Sequence, residues 1–208
     1  MPEPDLVYIV DDDALIRSLI ELTVRSAGLE PRSFASAEEF LAAAQTPRPS
    51  CLLLDLELPG TSGLELLERH FRGQSPFPVI IITGKGSVQS AVTSMKLGAV
   101  DFLEKPFERA VLLKLVQAAL ANDRQRRESL GAIEDVRRRV ASLSPREKEL
   151  LAAIIEGKST KMMADEFAIS ARTVDHHRAN LMEKMHAANV ADLVRMALES
   201  GFTPKPPS

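Results

Sequence analysis

The first half of the chain alternates in a way that few folds allow: five short apolar runs, each ending at charged or hydroxylated residues, each followed by a helical repeat. Residues 6–10 (LVYIV) run into Asp11, Asp12 and Asp13. Residues 14–27 then carry Leu15, Ile16, Leu19, Ile20, Leu22 and Val24 on a helical spacing closed by Gly28. Residues 30–34 lead to Ser36, which with Glu39 reads as a capping box for a helix to residue 44. The run at 51–54 ends on Asp55 and precedes a helix over 63–71. Residues 79–82 end at Thr83, with Ser87 as the cap of a helix to 97; residues 100–103 end at Lys105-Pro106, with a helix over about 108–121. Right-handed crossovers place such helices on both faces of a parallel sheet. The expected fold is therefore α/β, a doubly wound five-stranded parallel sheet.

In that fold Asp11, Asp12, Asp55, Thr83 and Lys105 all reach the C-terminal edge of the sheet, where open α/β sheets bind ligands. Three gathered carboxylates repel one another unless a cation neutralises them. Mg²⁺ fits, because it prefers hard oxygen ligands and keeps waters for a phosphate. Asp13 heads a helix and reads as a partner of its N-terminal dipole. An acidic pocket with Mg²⁺, an ammonium and a hydroxyl suits a phosphoryl group carried on a carboxylate nucleophile.

Composition excludes more than it identifies. A net charge of -3 over 208 residues names no partner, and 45% hydrophobic residues allow ordinary cores. The single cysteine, Cys51, lies in an apolar strand and reads as a small, inert, buried side chain in a reducing compartment. No apolar run approaches a membrane span, and the first residues lack the basic, apolar start of a signal peptide. A cytoplasmic protein with no membrane partner is expected.

Residues 6–121 resemble the receiver domains of two-component response regulators, a fold of the flavodoxin and CheY type. The likeness rests on Asp11-Asp12, Asp55 with Pro59-Gly60, Thr83-Gly84 and Lys105-Pro106 in order and spacing. It implies that Asp55 accepts a phosphoryl group from a sensor histidine kinase. It implies too that Asp12, Asp55 and the Glu57 carbonyl bind Mg²⁺, with Asp11 acting through water. Thr83 and Lys105 would hold the phosphoryl oxygens, Phe102 would move inward with Thr83 as a switch, and the Lys105-Pro106 bond would be cis. Glu57 and Lys85 stand two residues beyond Asp55 and Thr83, and their opposite charges are expected to pair across the pocket mouth and slow hydrolysis of the phosphoaspartate.

From 122 to 142 the chain is rich in arginine, and Leu130, Ile133, Val136 or Arg137, and Val140 lie three or four apart. This reads as a charged helical linker with a narrow apolar seam, loosened at Gly131 and suited to pairing in a dimer. Ser144-Pro145-Arg146-Glu147 starts a helix that stops at Gly157. A second helix begins near Ser159, and after a short turn Ser170 caps a third, over 171–185. Its apolar stripe is Val174, Leu181 and Met185, with His177 or Arg178 at the intermediate turn, which leaves Asp175, His176, Ala179 and Met182 outward. Asn189 caps a fourth helix closed by Gly201, and residues 202–208 read as a disordered tail.

Two short helices, a tight turn and a polar outer face are what a helix-turn-helix requires. Residues 143–201 resemble LuxR-type domains of the FixJ-like subfamily, through Leu143-Ser-Pro-Arg-Glu147, Gly157, Thr173-Val174, His177-Arg178, Lys184-Met185 and Leu193-Val194. By that resemblance Asp175, His176 and Ala179 face bases, and Lys161, Thr173, His177, Arg178 and Lys184 face phosphates of promoter DNA. Asp175 can accept from a cytosine amino group but repels phosphate. Thr160 stands where relatives carry Asn, which leaves that neighbour's hydrogen bond open.

The expected layout is a receiver at 1–121, a linker at 122–142, a small all-α four-helix output domain at 143–201 and a tail at 202–208. The expected function is phosphorylation-controlled transcription regulation and not enzymatic turnover. Either a homodimer would form through residues 87–103, with Val92 and Lys96 on that face, or the two domains would mask one another until phosphorylation; RNA polymerase is a further partner the output allows. The alternatives are an aspartyl-phosphate phosphohydrolase, for which Glu57 would be the second acid, and an output domain that binds protein alone.

Overall fold

The protein is described by a computed structural model covering residues 3–45, 48–71, 75–84 and 88–203. It divides into two compact units, residues 1–127 and 128–208. In the first, β1 (Leu6–Val10), β2 (Glu30–Phe34), β3 (Ser50–Asp55), β4 (Val79–Thr83) and β5 (Asp101–Glu104) make one parallel sheet in the order β2-β1-β3-β4-β5. Strand side chains alternate between faces, so two cores form. Leu6, Tyr8, Val10, Leu52, Leu54, Val79 and Ile81 enter one; Val7, Ile9, Cys51, Leu53, Ile80 and Ile82 enter the other.

Helices close both faces. Ile20 and Val24 of α1 (Ala14–Ser26) pack on the second core with Leu112, Val116 and Leu120 of α5 (Arg109–Ser142). The first core takes Phe40 of α2 (Ala37–Ala43) and Leu66 of α3 (Gly63–Leu66), while α4 (Val88–Lys96) follows β4. Tyr8, Phe34, Phe40, Phe77 and Phe71 stack edge-on or tilted there, and the Tyr8 hydroxyl reaches the Gln45 backbone. The chain leaves β1 toward β2 and later toward β3, so the crevice between β1 and β3 is the topological switch point.

Several elements depart from expectation. Leu15 is 81% exposed and Leu22 65%, because α1 buries an arc around Ile20, Thr23 and Val24, and those two leucines lie on its flank. The helix expected over 63–71 is α-helical only to Leu66 and continues as a π-helical turn at Leu67–Phe71, which puts Leu67 and Phe71 both into the core. The helix from residue 109 does not stop at 121. α5 runs unbroken for 34 residues, about 50 Å, through Gly131 to Ser142. Ser87 and Lys85, with the charge pairing expected of Lys85, lie outside the described residues.

The second unit holds α6 (Pro145–Ile155), α7 (Thr160–Phe167), α8 (Ala171–Met185) and α9 (Val190–Glu199) around Leu143, Leu151, Met163, Val174, Leu181, Met185 and Leu193. Ser144, Ser159, Ser170 and Asn189 each cap a helix by accepting from the third amide of its first turn. Phe202, expected in the tail, packs on this core, and its amide donates to the Ala197 carbonyl at 3.0 Å. Residues 204–208 lie outside the described residues.

Candidate functional site

At the switch point β1 delivers Asp11 and β3 delivers Asp55, 2% and 5% exposed. Lys105, just after β5, donates to Asp11 Oδ2 and Asp55 Oδ2, both at 2.6 Å. The other oxygens also have partners: the Asp13 amide donates to Asp11 Oδ1 at 2.9 Å and the Glu57 amide to Asp55 Oδ1 at 3.0 Å. Thr83 ends β4, is 1% exposed, and its carbonyl accepts from the Lys105 amide at 2.9 Å, so β4 and β5 bring hydroxyl and ammonium to the same edge. The Lys105-Pro106 bond is cis. Phe102 is half-buried against the first core.

Asp12 is exposed, and ligand oxygens of Asp11, Asp12 and Asp55 lie within 4.8 Å of one another. That set of hard oxygens, two buried and one facing water, fits Mg²⁺ with waters completing its shell. Asp13 instead caps α1, accepting from Leu15 and Ile16 amides. Burial is the largest influence on Asp11 and raises its pKa, although Lys105 pulls the other way. Burial also works against the Lys105 ammonium, yet its hydrogen bonds to Asp11 and Asp55 prevail and raise its pKa. A fixed positive charge therefore sits between two carboxylates in a shielded crevice. Cys51, one strand-length away and fully buried, has its thiol pKa pushed far up by burial.

In the second unit α8 presents Arg172, Asp175, His176, Ala179 and Glu183 to solvent, with Lys161 exposed on α7. Other residues expected beside them are engaged elsewhere. His177 turns inward, half-buried, to line a cavity of about 250 Å³ with Ser144, Arg146, Glu147 and Leu150. The Lys184 ammonium is held by Glu147 Oε1 at 2.6 Å. Thr173 joins the cap, its hydroxyl 2.8 Å from Ser170 Oγ. Met182, expected outward, packs against the core. The Arg178 guanidinium donates to Thr160 Oγ1 at 3.1 Å.

Residues 7–117 match the family described as the response regulator receiver domain, and residues 141–197 the bacterial regulatory proteins of the luxR family. The chain is 43% identical to the transcriptional regulatory protein FixJ of Bradyrhizobium diazoefficiens, over 94% of this chain and 96% of that protein. It belongs to the response regulators with a LuxR-type DNA-binding domain. Nodulation protein W of the same organism is 39% identical, over 95% of this chain and 87% of its own. Among solved structures, the response regulator StyR superposes with a TM-score of 0.82 at 34% identity, covering 94% of this chain and 99% of that one. Full-length FixJ from B. japonicum gives 0.56 at 42% identity, covering 95% and 98%. This response regulator is thus a transcriptional regulator of the two-component type. Among its described residues no helix is long and apolar enough to cross a membrane.

The response regulator's crevice and output face include residues that its sequence did not single out. Arg17 reaches from α1 to the Asp11 carbonyl at 2.6 Å, and Gly63 starts α3 directly against the Asp55 carbonyl. Arg172 shares the outer face of α8 with Asp175 and His176 at helical spacing, a signal present in the sequence. Thr160 lies 15 and 18 positions from the residues it binds, which no local pattern reveals.

Proposed function

We propose that Asp55 is the phosphoacceptor and that a sensor histidine kinase supplies the phosphoryl group. One observation carries this: the Lys105 ammonium bonded at 2.6 Å to both Asp11 and Asp55, with Asp12 beside them. An Asp55 oxygen attacks phosphorus, the bond from phosphorus to the kinase imidazole nitrogen breaks, and the electron pair leaves on that nitrogen. Asp11, Asp12, Asp55 and the Glu57 carbonyl would hold Mg²⁺, which when bound supplies positive charge to the phosphoryl oxygens. Lys105 then trades a carboxylate oxygen for a phosphoryl oxygen, and the Thr83 hydroxyl donates to another. The inward pull on Thr83 and Phe102 biases residues 87–103 toward a homodimer, where Val92 and Met95 of α4 are both 47% exposed.

In this reading the receiver spans 1–121, the linker 122–142 and the output domain 143–202, with its tail from 203. The dimer sets two α8 helices on the half-sites of promoter DNA in the cytoplasm. Asp175, His176, Ala179 and Arg172 face bases, Lys161 faces phosphate, and RNA polymerase is the partner downstream. His177 and Lys184 support α8 from behind instead of touching DNA. The test is labelling by acetyl phosphate, or by a histidine kinase, with magnesium: the parent takes up phosphate and Asp55→Asn does not. Equal labelling of the two would refute the assignment.

A further inference from the structure

The outer face of α8 carries a feature unfavourable for simple attraction to DNA, an exposed carboxylate at Asp175, the fifth residue of the helix. A carboxylate entering a groove walled by phosphates is repelled unless a base donates to it. Cytosine offers the N4 amino group in the major groove. Adenine offers an amino group beside the N7 acceptor, guanine offers two acceptors, and thymine an acceptor and a methyl group. An ionised carboxylate only accepts, so cytosine matches it, adenine matches it in part, and guanine and thymine oppose it.

Asp175 is also oriented. The Thr160 hydroxyl, half-buried at the start of α7, lies 3.5 Å from Asp175 Oδ1, the long end of a hydrogen bond, while Arg178 Nη1 donates to the same hydroxyl oxygen at 3.1 Å. A hydroxyl has one hydrogen. Accepting from Arg178 leaves that hydrogen for Asp175, which fixes the direction of the chain from guanidinium to hydroxyl to carboxylate. Oδ1 is thereby drawn toward the protein, and the remaining oxygen is left to accept from outside.

Resting on the DNA-binding reading above, we propose that Thr160, Asp175 and Arg178 act as one reading unit. Asp175 selects cytosine at one position of each half-site, and Thr160 is the positioning residue that aims it. Much of the selectivity is repulsive, since a wrong base leaves a desolvated carboxylate facing an acceptor.

The experiment selects duplexes from a randomised pool with the phosphorylated full-length protein and with Asp175→Ala, Asp175→Asn, Thr160→Val and Thr160→Ser. The parent enriches cytosine about tenfold or more at one column of each half-site. Asp175→Ala flattens that column alone, and Asp175→Asn moves it toward adenine, to which an amide can both donate and accept. Thr160→Val weakens the cytosine preference several-fold while Thr160→Ser retains it. A merely structural Thr160 would lower affinity for all sequences and leave the column unchanged, which overturns its positioning role. Identical base preferences for the parent and both Asp175 variants overturn the proposal entirely. If the parent enriches no sequence, the DNA-binding reading itself falls, and this inference with it.

Discussion

A methyl group on Gly63 would stand 2.2 Å from the Asp55 carbonyl oxygen and 2.9 Å from Leu56 Cα, both backbone atoms that cannot swing aside. Gly63→Ala must therefore displace the end of β3, and with it the carboxylate that Lys105 grips. The expected cost is about 1–3 kcal/mol of stability, with slower acetyl phosphate labelling at temperatures where the variant is folded. Gly131→Ala is the control, since nothing lies within 4 Å of its Cβ position. That exchange should stabilise the helix by up to about 1 kcal/mol. Thermal melts with labelling rates check both, and normal labelling by Gly63→Ala would show that the crevice tolerates the shift. Ala168 is strained differently: it ends α7 at φ 53 and ψ 43, the left-handed region, where its amide reaches the Ala164 and Asp165 carbonyls. Left-handed backbone costs a side-chain-bearing residue roughly 1–2 kcal/mol. Ala168→Gly should raise the melting temperature of the second unit by a few degrees, and an unchanged melt would show that the strain is compensated. The Asp11, Asp55 and Lys105 convergence was legible in the sequence because strand ends share an edge. The Gly63 contact was not, because it depends on how closely α3 approaches β3.

Among the elements, α6 and α8 depend on one carboxylate. Glu147 closes a capping box with Ser144, accepting from its amide at 2.8 Å, and also holds Lys184 near the C-terminal end of α8. Its pKa falls from an ordinary 4.5 to about 2, chiefly through the Lys184 hydrogen bond and then the Ser144 amide. A carboxylate depressed in the folded state adds stability that is complete above the unfolded pKa and lost as pH falls toward the folded one. Glu147→Gln should therefore melt below the parent at pH 7, and the gap should close as pH drops from 4.5 toward 2. A gap independent of pH would mean that the charge is not what ties the helices. Helix starts were readable here, since Ser-Pro-Arg-Glu carries its own capping chemistry. The aim of α8 was not. His177 and Arg178 are adjacent, each has apolar and polar parts, and only the packing of α6 and α7 decides which turns in. Likewise the π-helical turn at Leu67–Phe71 keeps an amphipathic pattern that reads as ordinary helix until the core demands two successive inward residues.

For the molecule as a whole the decisive element is α5, whose two ends are built into different units. Near its middle, in the first unit, Asp123 is fully buried and accepts from the Ser50 amide at the start of β3, from Arg127 and from Arg126, whose guanidinium also reaches the Pro76 carbonyl. β3 thus carries Asp55 at one end and α5's anchor at the other. In the second unit Arg137 donates to the Ser200 carbonyl and Arg139 to the Met185 carbonyl, both at 3.0 Å, so these arginines satisfy helix ends that their charge suits. Val136 and Val140 pack in the core of that unit. Between the anchors the helix passes through Leu130 and Gly131, exposed and held by its own backbone hydrogen bonds. Proline there removes one such bond and clashes with the preceding turn, at about 3 kcal/mol, while Asp123 and Arg137 keep their own attachments. Gly131→Pro should accordingly label on Asp55 at the parent's rate and bind promoter DNA as the unphosphorylated parent does. The ratio of phosphorylated to unphosphorylated DNA affinity should fall toward one. Measuring that ratio by titration separates two routes for the signal. If it survives the kink, the signal travels by assembly of the receivers alone, and an intact helix is not needed to carry it.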